Sequence, residues 1–503
     1  RVFESWKQSG KDQETLMSNL EKNSDLKDLL LAETPWVAEA ADEAEQKRRI
    51  ALLFDLNGMS SRLQQAADKL RTLQLTDGSW SWYKGMKGSR YITTQTVELM
   101  ARLKAMNISL TDGMEAQYGR ALGYLRKEVK KVYEQMRIQE RENNIQVRPD
   151  EQIVKYLYIC ALDETARKQA DKEINTYFLA RLTNRSAECS IYEKSLLAVI
   201  MHAYGQKRQA ELLLQSVKEY MLATPEMGRY FDTSKAGYSW NSYKIPTQVA
   251  AMEAIWRIAP DQHLLGDMKQ WLLKQKQVQV WDTPLATADA VYAFLGMGGN
   301  RLQASGSLKA RIGSKTLVTP DDALGYVRQT YTGADTEVSR IAVVKSGEGL
   351  SWGAVYAQYL EDMIRIRPFR TNGLGIVREY WLGDEQVSAS TRLKPGDKLT
   401  VRLTVKADRD MDFVQIKDER ASCMEPAVQL YGYHWNGGIG YYQVNKDAST
   451  EFFIDQMRKG TYVLEYTVYL DRPGTYQAGI ATIQSAYAPE FNGHTDGVEL
   501  TIE

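Results

Sequence analysis

The period of the apolar residues changes once along this 503-residue chain, and that change limits what each half can fold into. From about Asp25 to Met297 the period is helical. Leu197, Ile200, Met201 and Tyr204 share a face, as do Val249, Met252, Trp256 and Ala259, and again Leu285, Ala288, Tyr292 and Leu295. After Gly296-Met297-Gly298-Gly299-Asn300 the period falls to two. Leu308, Ala310 and Ile312 alternate with Lys309 and Arg311, and Leu399, Val401, Leu403 and Val405 alternate with polar neighbours. Tyr462, Leu464, Tyr466, Val468 and Leu470 do the same, and Val498, Leu500 and Ile502 close the chain. A stripe with period 3.6 cannot be buried by a strand, nor one with period 2 by a helix. The sequence therefore predicts a helical half followed by antiparallel β-sandwich domains, with turns at Lys394-Pro395-Gly396-Asp397 and Arg472-Pro473-Gly474.

Thr283-Pro284 gives the clearest helix start, a capping hydroxyl before a proline at the first helical position; Pro246-Thr247 and Thr93-Thr94 are weaker starts. A loose repeat runs through the helical half: a glycine- and tryptophan-bearing loop, a threonine, then an apolar helix. Its copies are Asp77-Gly78-Ser79-Trp80-Ser81-Trp82 leading to Thr94, Gly237-Tyr238-Ser239-Trp240 leading to Thr247, and Trp281 leading to Thr287. Helix pairs of this size bury their faces only by stacking on neighbours. Aromatic loops at one end of each pair suggest a closed ring, an α/α toroid, with a flat solenoid as the alternative. The predicted division is a connecting segment at 1–24, a toroid at 25–300, a small β region at 301–370 and a β-sandwich at 371–503.

Lysine plus arginine and aspartate plus glutamate both number 64, so net charge gives no argument for nucleic acid or an anionic membrane. No apolar run is long enough to cross a bilayer. The opening Arg1-Val2-Phe3-Glu4-Ser5-Trp6-Lys7 has neither a signal-peptide core nor a methionine, and reads as the start of a fragment. Cys160, Cys189 and Cys423 are too few and scattered for a disulfide framework or zinc site, and spacing does not decide whether Cys160 and Cys189 pair. His202, His263, His434 and His494 have no metal-ligand spacing. Asp408, Asp410, Asp412 and Glu419 have the spacing of a calcium loop, but Phe413 occupies the position that needs glycine, so a charged turn is expected. No metal or cofactor is implied.

Two groups of segments resemble a known family. Leu31-Ala32-Glu33-Thr34-Pro35-Trp36-Val37, Gln74-Leu75-Thr76-Asp77-Gly78-Ser79-Trp80 and Trp281-Asp282-Thr283-Pro284-Leu285-Ala286-Thr287-Ala288-Asp289-Ala290 are similar to the helical domain of bacterial alpha-2-macroglobulin-like proteins. The runs Val414 to Pro426 and Gln484 to Phe491 resemble segments of that family's last domain. The resemblance covers nearly the whole chain in order. It implies a thioester-type toroid, a CUB-type β region and a macroglobulin-like C-terminal sandwich. It also implies a protease trap, an endopeptidase inhibitor of bacterial defence in the periplasm or cell envelope, with a lipoprotein anchor expected in a full-length chain. The expected partners are target proteases and upstream macroglobulin domains of the same chain, with no nucleic acid.

The family's thioester joins a cysteine to a glutamine three residues later. The neighbourhood where the resemblance places it reads Thr34-Pro35-Trp36-Val37-Ala38-Glu39-Ala40, without cysteine, and the third positions after Cys160, Cys189 and Cys423 hold Asp163, Tyr192 and Pro426. A chain with no such cysteine has no acyl donor, so trapping is expected to be steric and no catalytic residue is assigned. Gln74 to Trp80 also resembles triterpene-cyclase repeats, in which aromatic and glutamine side chains brace helix ends. Trp80, Trp82, Trp240 and Trp281 are the candidates for a loop-binding surface. A rival reading is a glycan-active enzyme using Asp77, Asp232 and Asp282 with Tyr83, Tyr238 and Tyr243. A third is an envelope adhesion or scaffold module.

Overall fold

In a computed structural model, residues 56–297 are described apart from 226, 233–243 and 279–282, and residues 307–503 apart from 314, 319–330, 332–339, 348–354, 356–359, 371–372, 389 and 429–430. The helical reading of 25–55, the segment 34–40, Tyr238, Trp240, Tyr243, Trp281 and Asp282 lie outside the described residues.

The helical half contains α1 (Leu56–Leu73), α2 (Arg90–Ala105), α3 (Asp112–Asn143), α4 (Glu151–Leu162), the short α5 (Glu164–Gln169), α6 (Lys172–Asn184), α7 (Ile191–Ala203), α8 (Lys207–Lys218), α9 (Lys244–Ile258), α10 (Gln262–Val278) and α11 (Pro284–Gly296). Polar side chains cap many of the starts. Thr111, Asp150, Asp171 and Thr283 each accept a first-turn amide of the helix they precede. Ser190 and Glu193 form a reciprocal capping box at α7. Thr283 caps α11 with Pro284 behind it, as predicted. Thr93 and Thr94 do not start a helix: Ser89 caps α2, and both threonines are buried inside it.

Successive inner helices touch. α2 packs on α4, α4 on α7, α7 on α9 and α9 on α11. The alternate helices lie outside: α3 leans on α1, α2 and α6, α8 on α7 and α9, and α10 on α9 and α11. α7 is buried from Ile191 to Met201 on nearly every side, as an inner helix must be. The ring closes where Arg102 of α2 meets Asp289 of α11 and Met106 lies against Gly296. This closed alternation of inner and outer helices is an α/α toroid. One face is rotated from its predicted setting. α11 buries Ala286, Asp289, Ala290, Tyr292 and Ala293, while Leu295 is exposed, because Asp289 turns inward to its cation.

A hairpin, β1 (Leu222–Thr224) and β2 (Gly228–Tyr230), packs on α10. β3 (Ser307–Ile312), β4 (Lys315–Val318) and β5 (Ile341–Ser346) form an antiparallel sheet in the order β4-β3-β5. The last part is built from β6 (Phe369–Arg370), β7 (Leu374–Leu382), β8 (Glu385–Gln386), β9 (Lys398–Ala407), β10 (Met411–Glu419), β11 (Met424–Pro426), β12 (Gly432–Asn436), β13 (Ile439–Asn445), β14 (Ser449–Met457), β15 (Gly460–Leu470), β16 (Gly474–Ala478), β17 (Ala481–Ser485), β18 (Asn492–His494) and β19 (Val498–Ile502). Two antiparallel sheets, β12-β13-β14-β10-β17-β18-β6 and β11-β15-β9-β7-β8, face each other, with β16–β19 alongside. The predicted alternation is reproduced: Leu399, Val401, Leu403 and Val405 enter the core from β9, and Leu464, Val468 and Leu470 from β15. The toroid core and the sandwich core are separate clusters.

Candidate functional site

The centre of the toroid is occupied by acidic and basic side chains from the inner helices α2, α4, α9 and α11. On α2, Glu98 and Arg102 pair at 2.9 Å. Lys155 of α4 reaches the other Glu98 oxygen at 3.2 Å and donates to Gln95 at 3.0 Å. Arg102 bonds Asp289 of α11 and lies 4.9 Å from the ring centre of Tyr292. On α9, Glu253 accepts from the hydroxyls of Tyr158 and Tyr292 and from Arg257. Three carboxylates thus meet three cations, and Glu98, Arg102, Lys155, Glu253 and Asp289 are all buried. Burial works against ionising Glu98, but Lys155 and Arg102 outweigh it and hold that carboxyl below its usual range. Burial dominates at Asp289, whose carboxyl is pushed up despite Arg102. Desolvation likewise opposes the Arg102 charge, and the facing Tyr158, Asp289 and Glu98 overcome it. Each acid is held by a cation or hydroxyl, so none stands as a free general base. This network was not anticipated from sequence. Its members are distributed over about 190 positions and share no motif.

The glycine–tryptophan loop between α1 and α2 is anchored from within. Trp80 is buried, donates its indole N–H to the Leu70 carbonyl at 3.0 Å, and donates its amide to the Thr93 hydroxyl at 2.9 Å. Gln74 ties Gly78 to Gln117 through its amide group, 2.9 Å to each carbonyl. Gly78 takes φ +92° in close approach to the Arg120 backbone, where a Cβ would collide. Bracing therefore accounts for Gln74 and Trp80, and the hydroxyl that holds Trp80 is that of Thr93; Thr94, the threonine of the repeat, bonds the Arg90 carbonyl within α2. Asp77 accepts from Ser79 at 2.6 and 2.9 Å, which overcomes a desolvation that would raise it and keeps it ionised, as a turn residue. Trp82 differs from Trp80: it is exposed and stacked on Tyr91, with ring centres 5.4 Å apart.

The toroid meets the sandwich through a polar junction. Asp410, in the β9–β10 turn, takes Lys244 of α9 at 2.6 Å and the Lys459 amide at 2.7 Å. Burial would raise its carboxyl, but these partners lower it. Lys459 also faces Asp232 at 3.4 Å. Lys274 of α10 lies 4.0 Å from Glu490 and 5.8 Å from the Phe491 ring, with Arg409 over the same ring at 5.1 Å. Asp410 is thus engaged by lysines, and Glu419 pairs with Lys417. No cluster of metal-ligating side chains occurs among the described residues. Phe413, where a calcium loop needs glycine, does take a left-handed φ of +53° and packs edge-on against Tyr487 at 4.8 Å.

The three thiols are free and buried, and burial pushes Cys160 up to about 12. His494 contacts the Thr495 carbonyl at 2.9 Å, His434 stacks on Tyr441, and His263 is exposed beside Asp267. A shallow depression is lined by Gly205, Gln206, Lys207, Arg208, Gln209 and Leu212, with no carboxylate among them.

Residues 373–490 match the family model for the bacterial alpha-2-macroglobulin MG10 domain. The chain is 22% identical, over 484 aligned residues, to an alpha-2-macroglobulin homolog of a Nostoc species; the match covers 87% of this chain and 23% of that protein. Among solved structures it is similar to trypsin-activated alpha-2-macroglobulin from Escherichia coli, at 12% identity, 87% of this chain, 29% of that chain and a TM-score of 0.39. It is also similar to the native Escherichia coli protein spanning domain MG7 to the C-terminus, at 14% identity, 96% of this chain, 71% of that chain and a TM-score of 0.32. The chain therefore spans about a quarter of the curated relative's length.

Proposed function

We propose that this chain, in which residues 373–490 match the bacterial alpha-2-macroglobulin MG10 domain and 87% aligns with an alpha-2-macroglobulin homolog, serves a protease trap that works by enclosure, without a thioester and without catalysis. The observation that carries this reading is the ordered pairing of a toroid with an MG10 sandwich. The junction between them is polar and made of a few ion pairs, the kind of interface across which domains move. The bore supports the non-enzymatic part, since its acids are neutralised by Arg102, Lys155 and Arg257.

In this reading 1–24 connects to upstream macroglobulin domains, 25–300 is the thioester-type domain, 301–370 the CUB-type region and 371–503 the C-terminal sandwich. The partners are target proteases, and the site of action is extracytoplasmic. No helix among the described residues is long and apolar enough to cross a membrane.

Methylamine opens thioesters and frees their thiol. Treating the native protein should release none, because the three cysteines are thiols already and lack the glutamine spacing. A thiol reagent should count three sulfhydryls after denaturation, with or without methylamine. A further thiol appearing in the treated native protein would defeat the proposal. A trapped protease should keep activity on a small peptide, lose it on a large protein, and form no denaturant-resistant adduct.

A further inference from the structure

Zero net charge conceals a local asymmetry at one end of the toroid. Between Gly78 and Val97 there is no acidic residue, while Lys84, Lys87 and Arg90 are cationic. The loop joining α1 to α2 displays Trp82, Tyr83 and Met86, which are 51%, 74% and 52% exposed, within five positions. Lys84 and Lys87 are exposed between and beside them. The tip is a tight turn, with the Met86 amide donating to the Tyr83 carbonyl at 3.1 Å and Gly85 at φ +89°. Its base is fixed by buried Trp80, by the Ser89 amide on the Trp80 carbonyl at 2.8 Å and by the stack of Trp82 on Tyr91. The apolar tip is therefore held out by the fold.

The neighbouring surface of α3 has the same sign. Residues 120–131 include Arg120, Arg126, Lys127, Lys130 and Lys131 against Glu128 alone. Gly78 lies against the Arg120 backbone, and Lys127 is close enough to stabilise the Asp77 carboxylate, so this stripe adjoins the base of the loop. Arg120, Lys127, Lys130 and Lys131 are exposed. Arg90 pairs with Asp150 and Lys131 with Glu128 at 2.6 Å, while Arg120 and Arg126 keep their charge uncompensated and donate to the neutral Gln74 and Gln169.

We propose that the loop Ser81–Gly88, flanked by the basic stripe of α3, is a docking surface for an anionic lipid bilayer. Trp and Tyr with short apolar neighbours are the side chains that settle at the headgroup level of a membrane. Lysines beside them bind the negative surface while their methylene stems lie along it. An acidic protein would satisfy the lysines, but it would leave Tyr83 and Met86 without the apolar layer that their exposure fits.

The test is co-sedimentation of the full chain with vesicles of phosphatidylcholine containing about one third phosphatidylglycerol, against pure phosphatidylcholine. Binding is expected on the anionic vesicles, and it should weaken as salt rises from about 0.1 to 0.5 M. K84E/K87E should reduce it about 30-fold and W82A/Y83A about tenfold. Y433A/W435A changes equally exposed aromatics on β12 of the sandwich and should leave binding unaltered. Circular dichroism would confirm that each variant is folded. The proposal is overturned if there is no binding, or if the β12 variant loses as much as the loop variants. It is also overturned if soluble heparin is bound as tightly as the vesicles and W82A/Y83A is without effect, since the surface would then be a plain polyanion site.

Discussion

Replacing Arg102 with alanine should lower the melting temperature of the helical half by about 10 °C, leaving the sandwich transition where it was. Arg102 bonds both Glu98 and Asp289, and it also contacts Tyr158. Removing it strands buried Asp289 and leaves Glu98 with Lys155 as its cation. Breaking one side of a buried ionic cluster costs about 3–5 kcal/mol, and a domain of this size loses about 2–4 °C for each kcal/mol. Lysine at the same place keeps the charge but not the fork, which lets one guanidinium serve two carboxylates, so R102K should recover part of the loss. The two transitions should be distinguishable by calorimetry because the cores are separate. A shift below about 2 °C for R102A would show that water or rearranged cations reach the bore.

The second large effect belongs to the sandwich. Arg378 of β7 pairs with Asp418 of β10 at 2.6 Å, and neither side chain is more than 1% exposed. Tyr466 donates to the other Asp418 oxygen at 2.7 Å, and Arg378 also donates to the Gly479 carbonyl at 2.6 Å. Burial pushes the Asp418 carboxyl up against the pull of Arg378. R378A should therefore cost about 3–5 kcal/mol in the sheet transition. The double variant R378M/D418L removes both charges and should cost about 1 kcal/mol or less, since apolar replacement of a whole buried pair is often neutral. Chemical denaturation of the two variants checks this. If the double variant is as unstable as the single one, the pair is held for its hydrogen bonds to the backbone and to Tyr466 and not for its charge.

The sheets were the more legible part of the sequence. Leu399 to Val405 and Tyr462 to Leu470 alternate without a break, and a half-buried strand has only two faces to choose between. Thr283-Pro284 was equally direct, because a cap is a local bond. The face of α11 was misplaced because hydrophobicity was the only guide to burial. Asp289 is inside as the partner of Arg102, a residue 187 positions away, and nothing local announces that. The tryptophans show the same limit. Trp80 and Trp82 stand two apart in one motif, yet one braces α1 and the other is displayed. Only the tertiary neighbours, Leu70 and Tyr91, separate them.

The link between Arg102 and Asp289 also sets an order for making the protein. The inner helix α2 carries a guanidinium and Glu98, and the carboxylate that completes their set arrives on α11. While the ribosome is still producing the residues between them, α2 has half of an ionic centre and no means of sealing it. Helix pairs can form early, since their contacts are local, but the centre stays wet until Pro284–Gly296 emerges. A chain interrupted before that helix would expose charged side chains in a partly built apolar ring, a species that chaperones and proteases recognise. The Arg102 to Asp289 pair thus forms only once both ends of the helical half have been made.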